Sequence, residues 1–333
     1  MTGRALVLDG PGAYRLTDAA PAEPGPGEAR VRVHASGVCG SDRELWQGNR
    51  PAGYVRYPVV PGHEWSGTVE AVGAGVPEAL LGRKTVGEGF RNCQVCARCH
   101  AGETTLCTAG YEETGFTQPG AMADTLVLPA RLLHPLADGA DLTAAALLEP
   151  AACVAAAALK AEARPGDRVA VVGTGTLGMI AVQFLAAASP AELLAVGTGR
   201  EREKLALDFG ATSFRTADEA LPDDFDVVIE AAGSAEAACA ALGLLRRGGR
   251  LVLTGLPAPG ATGLDPTELV VRQAEVRTVF GAPPAAWAHA VRAFDAGLLD
   301  LLPLVTHRMP LDGFAEAMEI AGGPGAGKVL LHP

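Results

Sequence analysis

The stretch RVAVVGTGTLG at residues 168–178 decides the fold of one half of this chain. Its first residues are the apolar run of a buried strand, and its last six read G-x-G-x-x-G. A helical run follows from Leu177 to Ala188. Because this glycine motif binds a dinucleotide only between a strand and a helix, the context here predicts a dinucleotide-binding loop.

Each glycine of the loop has a separate physical role in that prediction. Gly173 permits the tight turn, Gly175 lets a pyrophosphate approach the backbone, and Gly178 lets the helix pack on the strand. The helix then presents its positive end to the phosphates, with Thr176 and Leu177 as further candidate contacts. The alternative, a glycine turn in a unit that binds nothing, stays open from the sequence.

Strand and helix patterns alternate outward from this loop. The segments are a strand at 193–197, a helix at 202–209, a strand at 225–233, a helix near 235–245 and a strand at 249–255. Alternation at this spacing predicts parallel βαβ units from about residue 150 to residue 280. Residues 1–140 are instead strand-rich, with short apolar runs between Gly and Pro turns, and a helix at 285–296 and a last strand, KVLLHP, are expected to return to that first part.

The second strand of the alternating region ends in Gly197-Thr198-Gly199-Arg200. A cofactor with a free ribose 2′-hydroxyl usually meets an acidic residue at this junction, and none is present here. Arg200 and Arg202 follow, and a guanidinium pairs well with the oxygens of a 2′-phosphate. The junction therefore favours NADP(H) over NAD(H), unless both arginines are solvated residues of a helix start.

Cysteine spacing predicts a second kind of site. Four cysteines in the pattern C-x2-C-x2-C-x7-C lie within one short polar segment, and they are Cys93, Cys96, Cys99 and Cys107. Four thiolates fit a closed tetrahedral zinc site, which leaves no coordination position for chemistry and is therefore structural. Disulfide bonding in a secreted loop and an iron–sulfur cluster are the alternatives, but the last spacing differs from the ferredoxin pattern.

Composition limits the classes of function. The chain has 333 residues and a net charge of −11, which suits two domains and argues against binding nucleic acid or an anionic membrane. Its most apolar run, Leu142–Leu159, carries Glu149 and Pro150, so we expect a buried helix start and no membrane span. The N-terminal residues read as a strand rather than a targeting peptide, and seven cysteines suggest reduced thiols in the cytoplasm.

Two further segments hold potential metal ligands, Cys39-Gly-Ser41-Asp42 and Gly62-His63-Glu64. The ordered motifs G-V-C-G-S-D, G-H-E-x-x-G-x-V, the four-cysteine lobe, L-x-E-P and G-x-G-x-x-G span nearly the whole chain. In this order they resemble the zinc-dependent medium-chain dehydrogenase/reductase family. The resemblance is to its polyol (sorbitol/threonine-type) branch, because Glu149-Pro150 stands where other alcohol dehydrogenases of the family carry a cysteine.

The resemblance implies an α/β fold of two domains. A GroES-like, β-rich catalytic domain would comprise residues 1–148 and 281–333, with a structural zinc lobe at about 88–110. A Rossmann domain with a doubly wound parallel sheet would comprise residues 149–280. The active site would lie between the two domains, and the protein would form a homodimer or a homotetramer.

The resemblance also implies roles for the residues of a catalytic zinc site. Cys39 and His63 would bind the metal, and Glu64 would be an alternating ligand or a supporting carboxylate. Glu149 would bind the metal directly or hold its water. Such a mixed set of sulfur, nitrogen and oxygen ligands suits a catalytic zinc with one position open for substrate.

Four further residues receive roles by the same resemblance. Ser41 would relay the proton of the alcohol, Asp42 would support the loop, and Cys153 would lie near the nicotinamide. Glu44 stands where many relatives carry a histidine, so the proton would pass through Glu44, through water or directly to solvent. Candidate residues of a substrate pocket, each equally compatible with the core, are Trp46, Tyr57, Trp65, Phe90 and Phe116.

Together these features predict a cytoplasmic, zinc-dependent dehydrogenase that prefers NADP(H). It would interconvert a secondary alcohol of the polyol, sugar or cyclitol class with its ketone. One alternative is a reductase of aldehydes or conjugated carbonyls from the same family. The other is a nucleotide-binding protein without catalysis that has kept the structural zinc.

Overall fold

The computed structural model describes residues 3–257, 260–323 and 325–333. The chain forms two compact units. The first unit comprises Met1–Glu149, Pro283–Val291 and Leu301–Pro333, and the second comprises Pro150–Ala282 and Arg292–Asp300.

Strands occur throughout both units. In chain order they are β1 (Gly3–Gly10), β2 (Ala13–Ala19), β3 (Glu28–Val38), β4 (Glu64–Val72), β5 (Lys84–Gly87), β6 (Thr125–Pro129), β7 (Leu133–Pro135), β8 (Arg168–Val172), β9 (Glu192–Gly197), β10 (Ser213–Thr216), β11 (Phe225–Glu230), β12 (Leu245–Leu253), β13 (Glu275–Thr278), β14 (Val305–Pro310) and β15 (Lys328–His332).

Helices are concentrated in the second unit and around the ends of the first unit's strands. In chain order they are α1 (Gly40–Gln47), α2 (Ala97–His100), α3 (Leu142–Ala145), α4 (Leu148–Ala161), α5 (Thr176–Ala186), α6 (Glu203–Asp208), α7 (Ala235–Leu244), α8 (Pro266–Arg272), α9 (Pro284–Asp295) and α10 (Phe314–Ile320). Short 3-10 helices lie at Glu78–Leu80, Thr104–Leu106, Ala130–Leu132, Leu302–Leu304 and Leu311–Gly313.

The second unit is a parallel six-stranded sheet in the order β10-β9-β8-β11-β12-β13. Counted from β8, this is the order 3-2-1-4-5-6 of a doubly wound dinucleotide-binding sheet. The predicted fold class of this half is therefore confirmed. Short strands β10 and β13 and helix α8 did not appear in the sequence pattern, because strands of four residues carry little periodicity.

The first unit is built on a seven-stranded sheet in the order β14-β15-β3-β4-β5-β7, and β6 pairs with β3. Strands β1 and β2 form a separate antiparallel pair. The terminal strand β15, which lies in the segment KVLLHP, pairs with β3. This pairing places the last strand of the chain beside a strand from near its beginning, in the interior of the sheet.

The apolar run Leu142–Leu159 forms two helices rather than one. Asp141 caps the N-terminus of helix α3, and its side chain accepts a hydrogen bond from the Thr143 amide. Pro150 lies in the first turn of α4, where the amide proton that it lacks would have had no partner. No helix of the described residues combines the length and the apolar character that a membrane span requires.

Candidate active site

Cys39, His63 and Glu64 converge in the first unit, with one ligand atom from each lying within 4.8 Å of the others. The Cys39 Sγ lies 3.1 Å from the His63 Nε2. Cys39 follows β3, His63 precedes β4, and these strands pair in an antiparallel register that sets Gly37 opposite Glu64. The strand pairing thus joins two segments that are 24 residues apart in sequence.

Asp42 supports this set from the first turn of helix α1. Cys39 is the N-cap of α1, and one Asp42 carboxylate oxygen accepts a hydrogen bond from the Cys39 amide at 3.0 Å. The other oxygen lies 3.6 Å from the His63 Nδ1. A carboxylate behind a ligating histidine fixes the orientation of the ring and raises its basicity.

The electrostatics of this set reflect its burial and the close approach of its ionisable groups. Burial raises the pKa of the Cys39 thiol. Burial also opposes a charge on His63, but the neighbouring Cys39 and Asp42 outweigh it and raise the pKa of His63 well above its usual range. Buried sulfur, nitrogen and oxygen donors crowded together in this way fit a zinc ion, which takes such donors.

Glu64 is held by an ion pair that the sequence did not indicate. Its carboxylate lies 2.6 Å and 2.8 Å from the Nζ of Lys328 in β15, and both side chains are buried. Burial acts to lower the pKa of Lys328, but Glu64 raises it above its usual value. Gly37 leaves the room for this carboxylate, because a Cβ at Gly37 would meet Glu64 Oε2 at 2.3 Å.

Glu149 lies in the first turn of α4, outside the group of three converging ligand atoms. Its charge nevertheless raises the pKa values of Glu113 and Lys328, so it belongs to the same neighbourhood. Its role toward a metal stays a prediction.

The two proton-relay candidates lie on the first turns of α1. The Ser41 amide donates a hydrogen bond to the Cys39 Sγ at 3.3 Å, which places Ser41 against the ligand set. Glu44 is exposed, and its carboxylate lies 4.0 Å from the Arg50 Nη1. The structure thus directs Glu44 toward Arg50, and its place in a relay stays a prediction.

The aromatic residues predicted for a substrate pocket lie in different places, some in the apolar core and one beside the candidate metal ligands. Phe116 is buried, and its ring centroid lies 4.7 Å from that of His63. Trp65 belongs to the apolar core on the sheet. Trp46 and Tyr57 pack against the other core of this unit, and Phe90 contacts the ring of Tyr111.

The four cysteines of the zinc motif form a second candidate metal site in the first unit. Their sulfur atoms lie within 4.8 Å of one another, and no disulfide joins them. Backbone amides point at the sulfurs, with the Cys93 amide donating to Cys107 and the Cys99 amide to Cys96. Hydrogen bonds from the Thr108 and Cys99 amides lower the pKa of Cys96 to about 5, whereas burial and the neighbouring thiols raise the pKa of Cys99 to about 12.

The dinucleotide loop of the second unit has the shape predicted from its glycines. Gly173 has a φ of +107°, and a Cβ at Gly178 would lie 1.8 Å from the Gly173 carbonyl oxygen. A Cβ at Gly175, by contrast, would meet no protein atom within 4 Å, and Gly175 directly precedes α5. The fold therefore requires Gly173 and Gly178, while Gly175 has open space beside it and its predicted role toward a ligand stays a prediction.

This difference yields a testable prediction. Gly175→Ala is expected to weaken dinucleotide binding by about tenfold or more at an unchanged melting temperature, because the methyl group takes ligand space. Gly178→Ala is expected to lower the melting temperature, because the methyl group has no room. Cofactor titration and calorimetry measure the two effects.

Gly243→Ala is the matched control for this prediction. Gly243 also has open space, and it lies near the C-terminal end of α7. That end of the helix precedes the start of β12, whereas the glycine loop follows the end of β8. Equal loss of binding in Gly175→Ala and Gly243→Ala would contradict the assignment of the loop.

Packing partly explains why a glycine, Gly197, stands at the junction after β9. A Cβ at Gly197 would meet the Phe214 ring at 2.9 Å and the Thr174 hydroxyl at 3.1 Å. Packing by itself thus favours glycine at position 197, and the exposed Thr198 is the better position for an added acid.

The two arginines after this junction differ in their surroundings. Arg200 is exposed and pairs with Glu203 at 2.9 Å and with Glu219. Arg202 is half-buried, and burial lowers its pKa. Arg200 would therefore have to exchange carboxylate partners to bind a phosphate. Cys153 lies half-buried in α4, and its predicted place beside a nicotinamide stays a prediction.

Sequence reasoning missed one polar group beside the ligand set. Arg50, Tyr111 and Glu113 lie together, with the Arg50 Nη2 2.6 Å from the Tyr111 hydroxyl and 3.5 Å from the Glu113 Oε2. The Arg50 guanidinium lies 3.6 Å from the centre of the Phe116 ring. No motif or spacing in the sequence links residues so far apart.

Comparison with known protein families finds two matches, each to a different part of the chain. The model described as "Alcohol dehydrogenase GroES-like domain" matches residues 25–138. The model described as "Zinc-binding dehydrogenase" matches residues 176–296.

Similar proteins extend over the whole chain. The erythritol/L-threitol dehydrogenase of Mycolicibacterium smegmatis is 31% identical over 99% of this chain and 97% of its own. A cobalt- and zinc-bound thermostable alcohol dehydrogenase from Pyrobaculum aerophilum is 32% identical, with a TM-score of 0.90 and full coverage of both chains. A zinc-binding dehydrogenase from Sinorhizobium meliloti 1021, bound to NADP, is 26% identical, with a TM-score of 0.93 and full coverage of both chains.

Proposed function

Because this chain belongs to the zinc-dependent medium-chain dehydrogenase/reductase family, we propose that it interconverts a secondary alcohol of the polyol, sugar or cyclitol class with its ketone, preferring NADP(H). The observation that carries the proposal is the convergence of Cys39, His63 and Glu64 on one point. The similarity of this chain to an erythritol/L-threitol dehydrogenase supports the proposed substrate class.

Each residue of the ligand set has a definable part in this proposal. Cys39 and His63 would hold a catalytic zinc, and Asp42 would orient the His63 ring through its Nδ1. When bound, zinc supplies a Lewis acid for the substrate oxygen, and the nicotinamide exchanges the hydride. Lys328 would hold Glu64 beside the metal as a supporting carboxylate, with Glu149 as the further candidate ligand.

Ser41 would accept the proton of the substrate hydroxyl at its Oγ while it passes its own hydroxyl proton onward. Its backbone amide already contacts the Cys39 Sγ, so its side chain starts from the edge of the ligand set. From there the proton would reach solvent directly, through water, or through the exposed Glu44. A positioned proton-transfer group typically contributes about 10²–10⁴-fold to the rate.

The second unit would supply the dinucleotide site at the N-terminus of α5. The four-cysteine site would hold a second, structural zinc, since four thiolates leave no open position. Assembly as a homodimer or homotetramer and a cytoplasmic location stay predictions from the family resemblance.

Metal analysis combined with a substrate panel tests the proposal. We expect two zinc ions per chain and oxidation of secondary alcohols among polyols, sugars and cyclitols. Turnover of aldehydes or conjugated carbonyls alone would favour the reductase alternative. Dinucleotide binding without turnover of either class would favour a nucleotide-binding protein.

Cofactor choice is tested separately. The wild type is expected to show a higher kcat/KM for NADP than for NAD, because Arg200 or Arg202 can pair with the 2′-phosphate. Alanine at the contacting arginine should lower NADP(H) affinity by roughly 10- to 150-fold, the effect of losing a charged hydrogen bond. Affinity for NAD(H) should not change.

Arg247→Ala is the control for this prediction, since Arg247 is an exposed arginine of the same unit. Thr198→Asp is expected to shift preference toward NAD, because the carboxylate would repel the phosphate. A clear preference of the wild type for NAD would refute the assignment of both arginines.

A further inference from the structure

Arg200, the exposed arginine that follows β9, is already paired with two carboxylates of the protein. Its Nη1 donates to both carboxylate oxygens of Glu203 at 2.9 Å, and its Nη2 donates to Glu219. Glu203 is three residues further along the same segment, whereas Glu219 is 19 residues away. Two acids from different segments therefore share a guanidinium that is a candidate contact for a 2′-phosphate.

The strand register places Glu219 beside the junction after β9. Strands β9 and β10 run parallel, and Thr216 at the end of β10 lies opposite Gly197 at the end of β9. The Ala217 amide then donates to the Gly197 carbonyl oxygen at 2.8 Å. Because Glu219 stands three residues after Thr216, the turn after β10 brings its carboxylate to the carboxyl end of the sheet, the edge at which open α/β sheets bind ligands.

The side chain of Glu219 is held by its own turn. Its Oε2 accepts a hydrogen bond from the Thr216 amide at 3.3 Å. The Glu219 amide donates in return to the Thr216 carbonyl oxygen at 3.0 Å. One carboxylate oxygen is thus fixed by the backbone, and the other, Oε1, is left for Arg200.

The stability of the fold does not account for this arrangement. Ion pairs at exposed positions contribute little to the free energy of unfolding, because salt and water screen them and the ordering of long side chains costs entropy. The side chains of Arg200, Glu203 and Glu219 are 52%, 33% and 28% exposed, so both pairs belong to this class. The effect of Glu219 is expected instead on what Arg200 binds.

Glu219 is held in its charged form. Burial acts to raise the pKa of this carboxyl group, but hydrogen bonds from Arg200 and from the Thr216 amide outweigh burial and lower the pKa below its usual value. Hydrogen bonds to Glu203 and Glu219 raise the pKa of Arg200 in turn. A phosphate that approaches Arg200 thus meets a guanidinium whose charge two carboxylates already offset.

The two acids hold different nitrogens of the guanidinium, so they need not leave together. Glu203 contacts Nη1 from the start of α6, three residues from Arg200. Glu219 contacts Nη2 from the turn after the neighbouring strand. A phosphate can therefore take over Nη2 by displacing Glu219 alone, and the Arg215 Nη1, 3.9 Å from Glu219 Oε2, remains beside the displaced carboxylate.

We propose that Glu219 competes with the 2′-phosphate of NADP(H) for Arg200, and so limits the preference of this protein for NADP(H) over NAD(H). Glu219 would thus supply, from the strand beside β9, the acid that the junction after β9 lacks. The inference rests on the proposed function, because it takes Arg200 as a contact of the phosphate.

Calorimetric titration of NADP and of NAD into the zinc-loaded protein tests this inference. Glu219→Gln should raise the ratio of NADP affinity to NAD affinity by roughly 2- to 5-fold, the effect of releasing Arg200 from an exposed ion pair. A glutamine side chain can still accept the hydrogen bond from the Thr216 amide, so the melting temperature should not change.

Two further variants isolate the contact with Arg200. Glu268→Gln is the matched control and should leave the ratio unchanged, because Glu268 pairs with Arg272, which contacts the Leu245 carbonyl oxygen at the beginning of β12. In an Arg200→Ala background, Glu219→Gln should raise the ratio by less than in the wild type, because the guanidinium that it would release is gone.

A pair of cofactor fragments repeats the comparison without a nicotinamide and without turnover. Glu219→Gln should bind adenosine 2′,5′-bisphosphate more tightly than the wild type does, and ADP equally well. An unchanged ratio in Glu219→Gln, or an equal rise with and without Arg200, would overturn the inference. A wild-type preference for NAD or an absence of alcohol turnover counts against the proposed function, whereas the change in ratio caused by Glu219→Gln decides on Glu219 alone.

Discussion

Cys99→Ser is expected to remove zinc from the four-cysteine site and to lower the free energy of unfolding by about 3 kcal/mol or more. The reason is the poor apolar packing of that lobe. Val95 is 76% exposed and Leu106 is 55% exposed, and α2 has only four residues. With little apolar surface to bury, the lobe depends on the metal for its folded form.

Elemental analysis and thermal unfolding measure this effect. One zinc ion should be lost per chain, and the melting temperature should fall by roughly 6–12 °C or the protein should fail to accumulate. Cys239→Ser is the matched control, because Cys239 is exposed and lies outside both metal-ligand groups. A fully stable Cys99→Ser protein with undiminished zinc would contradict a structural metal at this site.

His63→Ala is expected to leave a folded protein with one zinc ion and with kcat/KM reduced by on the order of 10³-fold or more. A Lewis acid at the reacting oxygen is worth several kcal/mol of transition-state stabilisation, and each 1.4 kcal/mol is about tenfold in rate. Dinucleotide affinity should be unchanged, since the glycine loop belongs to the second unit.

Asp42→Asn provides a graded comparison for His63→Ala. Asp42 contacts the His63 ring without being a ligand, so its loss should cost about 10- to 100-fold in activity or zinc affinity. His307→Ala, at a half-buried histidine remote in sequence from both ligand segments, is the control for loss of an imidazole. Full activity in His63→Ala would remove this residue from the catalytic centre.

Local patterns in the sequence were sufficient for the dinucleotide loop and the four-cysteine site. A glycine loop depends on residues within six positions of one another, and the steric reasons for Gly173 and Gly178 act over that short distance. The same holds for four cysteines within fifteen positions, because a tetrahedral ion needs donors that short turns can bring together. The parallel βαβ character of the second unit also followed, since strands that alternate with helices at this spacing permit few topologies.

Only the family resemblance predicted that Cys39 and His63 lie together, and strand pairing is what brings them together in the fold. No local spacing joins the two residues, and it is the register of β3 against β4 that brings them together. The placement of Asp42 in a helix was also missed, because a cysteine is an unusual helix N-cap and the first turn carries no apolar periodicity.

Sequence by itself thus determined which chemistry the chain carries, because metal and phosphate motifs are short and their donor types are distinctive. Only the tertiary structure decided which buried charged side chains contact the candidate site residues and hold them in place. Lys328 reaches Glu64 across 264 residues, because β15 pairs with β3 beside the metal ligands. Glu113 meets Arg50 across 63 residues. Burial then turns such ordinary surface residue types into fixed ion pairs, and no sequence pattern records which charges a fold will bury.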